Sequence, residues 1–552
     1  MYALLGALPI ILIIFMMLFL KMSAGMTMFW AWLASGILAV IFWNMEIFHA
    51  GALTVLGFLS ALDIIFIIFS AIFLLNTLME LKFIETIGNG FHGISQDRRI
   101  QILIIAWFFG AFMEGAAGFG TPAALAAPLL MGLGVPAFFA ALAGLIANST
   151  PVLFGAVGTP TTAGFRAIEP AIVAQYGAEG AVEFAGQLNN YLSFANIFVG
   201  VFVPFMIIAA IVARDGRKRG IKDALNILPL CLFAGLIFNI PAWLASFLGP
   251  ELPTLVGALV GLPIMIICVK AGFLVPKDVY RFTNDPITLP TESSKTGISL
   301  FTAWSPYILI ALVLMISRLP WLPIARLINP MHAADAPIQV TGLLGVAGIN
   351  WNWRIFNNPG LFVFLPVAII YLIVRKKQAG ATGRIFGKTF KQVVKPALTL
   401  LFGVALVQIM IFTNFSDPAS GLGTMTTEIA RALADTLSGV YMIIAPLIGG
   451  LGAFVAGSHT VSNLMFFGLQ IETAALLNLP MIAVLIAQAS GGAFGNMIAI
   501  HNVVTVSATT GAGTKGREHR LISAAIVPFF IYWILISAVL YVMLAVGMNW
   551  IG

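Results

Sequence analysis

Gly110-Ala-Phe-Met-Glu-Gly-Ala-Ala-Gly-Phe-Gly-Thr-Pro122 places a carboxylate, a cluster of glycines and a Thr-Pro pair inside an apolar region. Helices cannot simply stop in hydrocarbon, because bare N–H and C=O groups there cost several kcal/mol each. Broken backbone survives where protein or a water-filled cavity surrounds it. The run Gly115-Ala-Ala-Gly-Phe-Gly-Thr-Pro122 interrupts any helix. Thr121 followed by Pro122 reads as the N-cap and first-turn proline of a new half-helix. Thr150-Pro151 and Thr159-Pro160 repeat the pairing. Each exposed half-helix N-terminus offers free N–H donors and a partial positive charge, which suits an anion. The plainer alternative is that such glycines permit close packing of helices.

The surroundings make this a membrane problem. Of 552 residues, 60% are hydrophobic and 9% charged, against roughly 25% charged in soluble proteins. Apolar runs occupy Ala3–Leu20, Met26–Trp43, Leu53–Leu75, Tyr191–Val212, Ala224–Leu244, Leu255–Val269, Phe301–Ile316, Gly360–Val374, Pro396–Phe412 and Ile522–Val546. Most of them suit a bilayer span of about 20 residues. Two long glycine-rich regions remain, Ile100–Phe165 and Val440–Thr510. Cys231 and Cys268 both lie in apolar runs, with no disulfide framework or metal-site spacing. Lys21 follows the first apolar run and no basic residue precedes it, so the first helix is expected to be retained.

Charge orders the loops. Most of the 28 Lys and Arg fall in a few of them: Lys21; Lys82 to Arg99; Arg214 to Lys222; Lys270 to Lys295; Arg375 to Lys395; and Lys515 to Arg520. The others are Arg166, Arg318, Arg326, Arg354 and Arg431. The positive-inside rule makes the first set cytoplasmic and both chain ends external. The alternation closes only if each glycine-rich region crosses the membrane an odd number of times, in opposite directions. The two regions also resemble each other. Gly110–Gly115 lines up with Gly452–Gly457, and Asn148–Gly155 with Gln488–Gly495. Inverted repeats with interrupted helices mark secondary transporters, with the site at midplane where the repeats meet. The expected fold is an all-α polytopic membrane protein of about 12–14 transmembrane segments. The expected halves are 1–245, with its interrupted motif at 100–165, and 246–552, with its motif at 440–510.

Polar groups within the apolar regions are few. Glu114 follows Phe-Phe-Gly-Ala-Phe-Met and precedes the glycine break. A carboxylate there is expensive unless paired, hydrated or protonated, which suits a group that takes up and releases a proton. Capping of local N–H groups is the alternative. Asp63 ranks below it. His459 and His501 are the next candidates for carrying a proton, or for bonding a carboxylate; each also reads as a structural histidine. Gly118, Gly120, Thr121, Asn148, Ser149, Thr150, Ser458, Thr460, Ser462, Asn463, Gln488, Asn496 and Asn502 form the candidate lining for a small polar solute. No Walker A loop, Rossmann glycine pattern or HExxH motif occurs. Neither a catalytic activity nor a cofactor or metal is expected.

Asp97-Arg-Arg-Ile-Gln101, the Gly110–Pro122 run, Asn148-Ser-Thr-Pro151 with Gly155, Gly457-Ser-x-Thr-x-Ser-Asn463, Gly495-Asn-Met-Ile498 and His501-Asn-Val-Val504 resemble the bacterial L-lactate permease family. The likeness covers most of the chain. It implies proton-coupled import of lactate, glycolate and related 2-hydroxymonocarboxylates, D-lactate among them, across the bacterial inner membrane. Sodium coupling in the same architecture is the alternative. The family relation points to Glu114–Pro122, Asn148–Gly155, Gly457–Asn463 and Asn496–Asn502 as functional stretches. His459 departs from it, standing where Asp or Asn is more usual.

Overall fold

A computed structural model describes residues 1–20, 22–91, 93–118, 121–216, 220–283, 297–318, 322, 338–353, 355–375, 379–414, 421–510 and 518–548. Among them, 11 helical stretches are long and apolar enough to cross a bilayer. Shorter apolar helices lie at Tyr2–Met17, Ala137–Ala147 and Gly360–Val374. The strands described are one short antiparallel pair, Ile338–Val340 with Trp351–Trp353. The all-α polytopic class expected from composition is the class observed. Part of the loop charge that ordered the sequence, including Lys21, Arg217, Lys218, Arg219 and Lys515, lies outside the described residues.

Helices from the two ends of the chain build one slab. Ile47–Glu80 packs along Ala379–Ile411, which also packs against Ala24–Phe42, while Tyr2–Leu18 lies on Met425–Leu437. Gly57 lets the first of these helices rest on the backbone of Ala405. At its far end Asn76 donates to Thr389 Oγ1 (3.0 Å) and Gln392 Oε1 (2.7 Å). A buried amide with both partners in place fixes the register of two long helices that apolar packing alone would let slide.

Beside the slab stand two helical hairpins. The first enters through Arg98–Ala117, whose middle, Leu103–Phe109, is π-helical, and turns back through Thr121–Gly132 to a tip at Leu133–Pro136. Ala137–Ala147 then re-enters. The second hairpin repeats this with Tyr441–Ala456, His459–Leu476, a tip at Leu477–Pro480 and Met481–Gly495. The tips match bond for bond. Leu133, Gly134 and Val135 donate to the carbonyls of Leu129, Met131 and Leu130, as Leu477, Asn478 and Leu479 donate to those of Thr473, Ala475 and Ala474. Gly134 and Asn478 both have positive φ, and a proline follows each tip as the next N-cap. The motif matches seen in the sequence are offset from this register by two and by four residues.

Packing is reciprocal. The segment after the first hairpin, Gly155–Gly200, lies on both arms of the second; the segment after the second, Ile500–Thr510, lies on both arms of the first. The tips also point to opposite ends. Leu133 O accepts from Arg98 at the end where Lys82 follows Glu80. The second tip follows Glu472, which accepts from Thr427 (3.0 Å) beyond the opposite end of Ala379–Ile411.

A clamp holds the start of the helix that enters the first hairpin. Asp97 caps its helix by accepting from Arg99 N (2.8 Å). The Arg99 guanidinium, fully buried, meets both Asp97 oxygens and donates to the carbonyls of Asp223 (2.6 Å) and Asp278 (2.8 Å). One side chain thereby ties three segments of chain. Arg166, expected in a loop, instead lies within the helical segment after the first hairpin. It pairs with Glu169 (2.6 Å) and faces Asp63 at 3.7 Å. Asp63 also accepts from Trp353 Nε1 (2.9 Å) and Asn358 Nδ2 (2.8 Å), so these partners satisfy its carboxylate.

Candidate functional site

Glu114 lies one turn before the point where the first hairpin breaks. Gly118 ends the Gly110–Ala117 helix at φ 57°, ψ −151°, a conformation essentially confined to glycine. A Cβ there would also strike Ala156. Of the predicted residues, Gly120 lies outside the described residues, as does the side chain of Thr121. Glu114 is 2% exposed. Its carboxyl group lies against Gly155, where any Cβ would overlap it, and Asn148 is its hydrogen-bonding neighbour. Among the described residues Glu114 Oε2 has no partner, and neither has Asn148 Oδ1. A buried carboxylate oxygen without a donor makes the ionised form expensive here, and a proton on that oxygen removes the cost.

The second half of the break is stranger backbone. Pro151–Phe154 is a 3₁₀ turn, and Ala156, Val157 and Gly158 follow at φ 43°, 58° and 75°. A β-branched residue in the left-handed region is strained by about 1–3 kcal/mol. The surroundings fix it by taking the freed carbonyls. Thr254 Oγ1 donates to Pro151 O (2.7 Å), Thr161 Oγ1 to Leu153 O (2.7 Å), and Thr159 Oγ1 to Ala156 O. From the other repeat, His459 Nδ1 meets Val152 O (3.1 Å) and Asn463 Nδ2 meets Pro160 O (3.1 Å). Irregular backbone at membrane depth survives because protein side chains replace the absent water.

These bonds bring the two breaks together. A carbonyl only accepts, so Nδ1 of His459 carries a hydrogen and the Asn463 amide turns its nitrogen to Pro160 O. That same nitrogen lies 3.1 Å from His459 Nε2, and the backbone of Ala489 is a further hydrogen-bonding neighbour of the ring. Both ring nitrogens of His459 are engaged by protein groups. Asn463 Oδ1 is left without a partner among the described residues.

The second break turns at Gly457, φ 67°, and Ser458 caps the new helix through Val461 N. Ser462 and Gln488 face away from the first break. Ser462 Oγ donates to Gly449 O (2.7 Å), Gln488 Nε2 to Ser462 Oγ (3.1 Å), Gln470 Nε2 to Gln488 Oε1 (3.0 Å), and Tyr441 OH to Gln470 Oε1 (2.6 Å). Thr460 is buried. Ser149 donates to its own helix at Ile146 O (2.8 Å). His501 is exposed, its Cβ against Gly457, with Asn502 bonded to Asn496 (2.6 Å) beside it. The structure thus gathers Glu114, Asn148, Gly118, His459 and Asn463 around Pro151–Pro160, with His501 against the second break at Gly457 and Asn502 bonded to the buried Asn496.

Thr150 corrects one reading. It was expected to cap a half-helix, yet its side chain makes no cap bond. Its hydroxyl meets Tyr532 OH (3.4 Å), which donates to Asn196 Oδ1 (2.6 Å). Tyr532, Asn196, Ser490, Thr161 and Thr254 escaped the sequence reading. Lone polar residues in apolar runs were the available sign.

The model of the L-lactate permease family matches residues 2–547. The chain is 29% identical to the L-lactate permease of Salmonella typhi, over 94% of this chain and 91% of that one. It is 30% identical to the L-lactate permease of Bacillus subtilis, over 82% and 80%. It is 29% identical to the glycolate permease of Escherichia coli K12, over 94% and 91%.

Proposed function

The chain belongs to the L-lactate permease family, and from that membership we propose that it imports lactate and glycolate as 2-hydroxymonocarboxylates, D-lactate included, together with protons. It is a multi-pass membrane protein; its place is the bacterial inner membrane with both chain ends external. The halves 1–245 and 246–552 each contribute one broken hairpin, and the solute binds where the breaks meet.

The observation that carries the coupling is Glu114, 2% exposed and with one oxygen unpartnered. Among the described residues no cation pairs with it. Protonation removes the cost of its charge. The substrate carboxylate lies against backbone N–H groups at the breaks, near Thr121 and Thr150, and its hydroxyl meets side chains nearby. His459 and Asn463 hold the first break in shape, which leaves Glu114 as the proton carrier. His501, against the second break at Gly457, is the second choice for that role.

Purified protein in liposomes tests this with labelled L-lactate. A pH gradient, acid outside, is expected to drive accumulation, while a sodium gradient alone drives none. Unlabelled glycolate competes. Uptake that follows sodium and ignores pH would sink the proton reading. Gly155→Ala probes the geometry separately. Its methyl group overlaps the Glu114 carboxyl, and forced overpacking costs about 1–3 kcal/mol. PH-driven uptake per inserted molecule is expected to fall roughly tenfold or more. Undiminished uptake would contradict the placement of the carboxyl.

A further inference from the structure

The hydrogen-bond chain behind Thr150 has a fixed direction. Asn196 Nδ2 donates to Leu192 O (2.8 Å) and to Ser490 Oγ (3.0 Å). A carbonyl only accepts, so the amide cannot be turned round, and Oδ1 faces Tyr532. The phenol has one hydrogen, and it goes to Asn196 Oδ1 at 2.6 Å. Tyr532 can therefore only accept from Thr150, 3.4 Å away. The single hydrogen of Thr150 is committed in that direction. Whatever else meets this hydroxyl meets lone pairs. Thr150, Asn196, Ser490 and Tyr532 are 4%, 2%, 0% and 0% exposed, so bulk solvent does not scramble the order.

We propose that Tyr532 and Asn196 are positioning residues that make Thr150 an acceptor, so that the site selects 2-hydroxy over 2-oxo monocarboxylates. A 2-hydroxyl brings a hydrogen to Thr150. A 2-oxo group brings only lone pairs, and two acceptors then face each other in a buried place. This rests on Thr150 lying at the substrate site, as proposed above. Sites built around a substrate's hydroxyl discriminate strongly against analogues that lack it, because the buried protein group is left unpaired.

The test is the preference for lactate over pyruvate, read as the ratio of kcat/KM for the two labelled substrates in proteoliposomes. Tyr532→Phe frees the Thr150 hydrogen, and Asn196→Leu frees the phenolic one to run the other way. Each is expected to lower the ratio by about tenfold, chiefly by improving pyruvate relative to lactate. Ser490→Ala leaves the direction of the chain intact and is expected to keep the ratio within about twofold. A uniform loss for both substrates in Tyr532→Phe and Asn196→Leu overturns the inference, as does a Ser490→Ala shift as large as theirs. Thr150→Val separates the layers: lactate uptake indifferent to it removes Thr150 from the site, and the inference falls with that placement. A wild-type protein that moves neither acid overturns the transport reading itself and the inference with it.

Discussion

Glu114→Gln is expected to abolish uphill uptake while exchange survives. Glutamine keeps the shape of a protonated glutamate and an amide in place of the donor, so the pocket against Gly155 stays filled. What it loses is the ability to release a proton. If one proton accompanies each lactate, each pH unit across the membrane supports about tenfold accumulation, since a tenfold gradient and one pH unit are both worth about 1.4 kcal/mol. In the variant that ratio is expected to fall to about one at any pH gradient. Counterflow of labelled against unlabelled lactate needs no net proton movement and is expected to persist within a fewfold. Loss of both activities in well-inserted protein would make Glu114 a substrate ligand or a structural group instead.

The second large effect lies far from the substrate. Arg99→Ala strands Asp97, 4% exposed, and leaves the carbonyls of Asp223 and Asp278 without their donor. Removing one partner of a buried ion pair typically costs about 3–5 kcal/mol. The start of the Arg98–Ala117 helix, the Asp223 segment and the Asp278 segment lose their common tie, so the expected result is collapse of folded yield in mild detergent. Arg99→Lys is expected to recover it only partly. An ammonium cannot reach both Asp97 oxygens and two carbonyls with one planar fork. A normal yield and melting point for Arg99→Ala would show that packing alone holds these three segments.

What the sequence disclosed depended on how local the cause was. The helix break was legible because glycine density and Thr-Pro are properties of neighbours. The membrane class was legible from composition. The inverted relation was legible from loop charge, but its register was not. The tips share Leu-x-x-Pro and a positive-φ residue, Gly134 in one and Asn478 in the other, too little to stand out among so many apolar residues. The richer glycine matches therefore suggested a register shifted by two residues at one motif and four at the other. Thr150-Pro151 has the same local pattern whether the hydroxyl caps its own helix or bonds elsewhere. Tyr532, 382 residues away, decides the matter. His459 is the same kind of case. Its chemistry as a titratable group is visible in the sequence, whereas its bond to Val152, 307 residues away, exists only once the two breaks meet. Arg166 was placed outside because positive-inside counting sorts loops and cannot see that a helix resumes there with Asp63 and Glu169 alongside.

The most direct measurement follows lumenal pH instead of lactate. Proteoliposomes holding a pH-sensitive dye are given an inward lactate gradient with no initial pH difference, with the membrane potential clamped. Lactate entry through wild-type protein is expected to acidify the lumen, and Glu114→Gln protein that still performs counterflow is expected to leave it unchanged. Acidification by Glu114→Gln at the wild-type rate would contradict the assignment of the proton to Glu114.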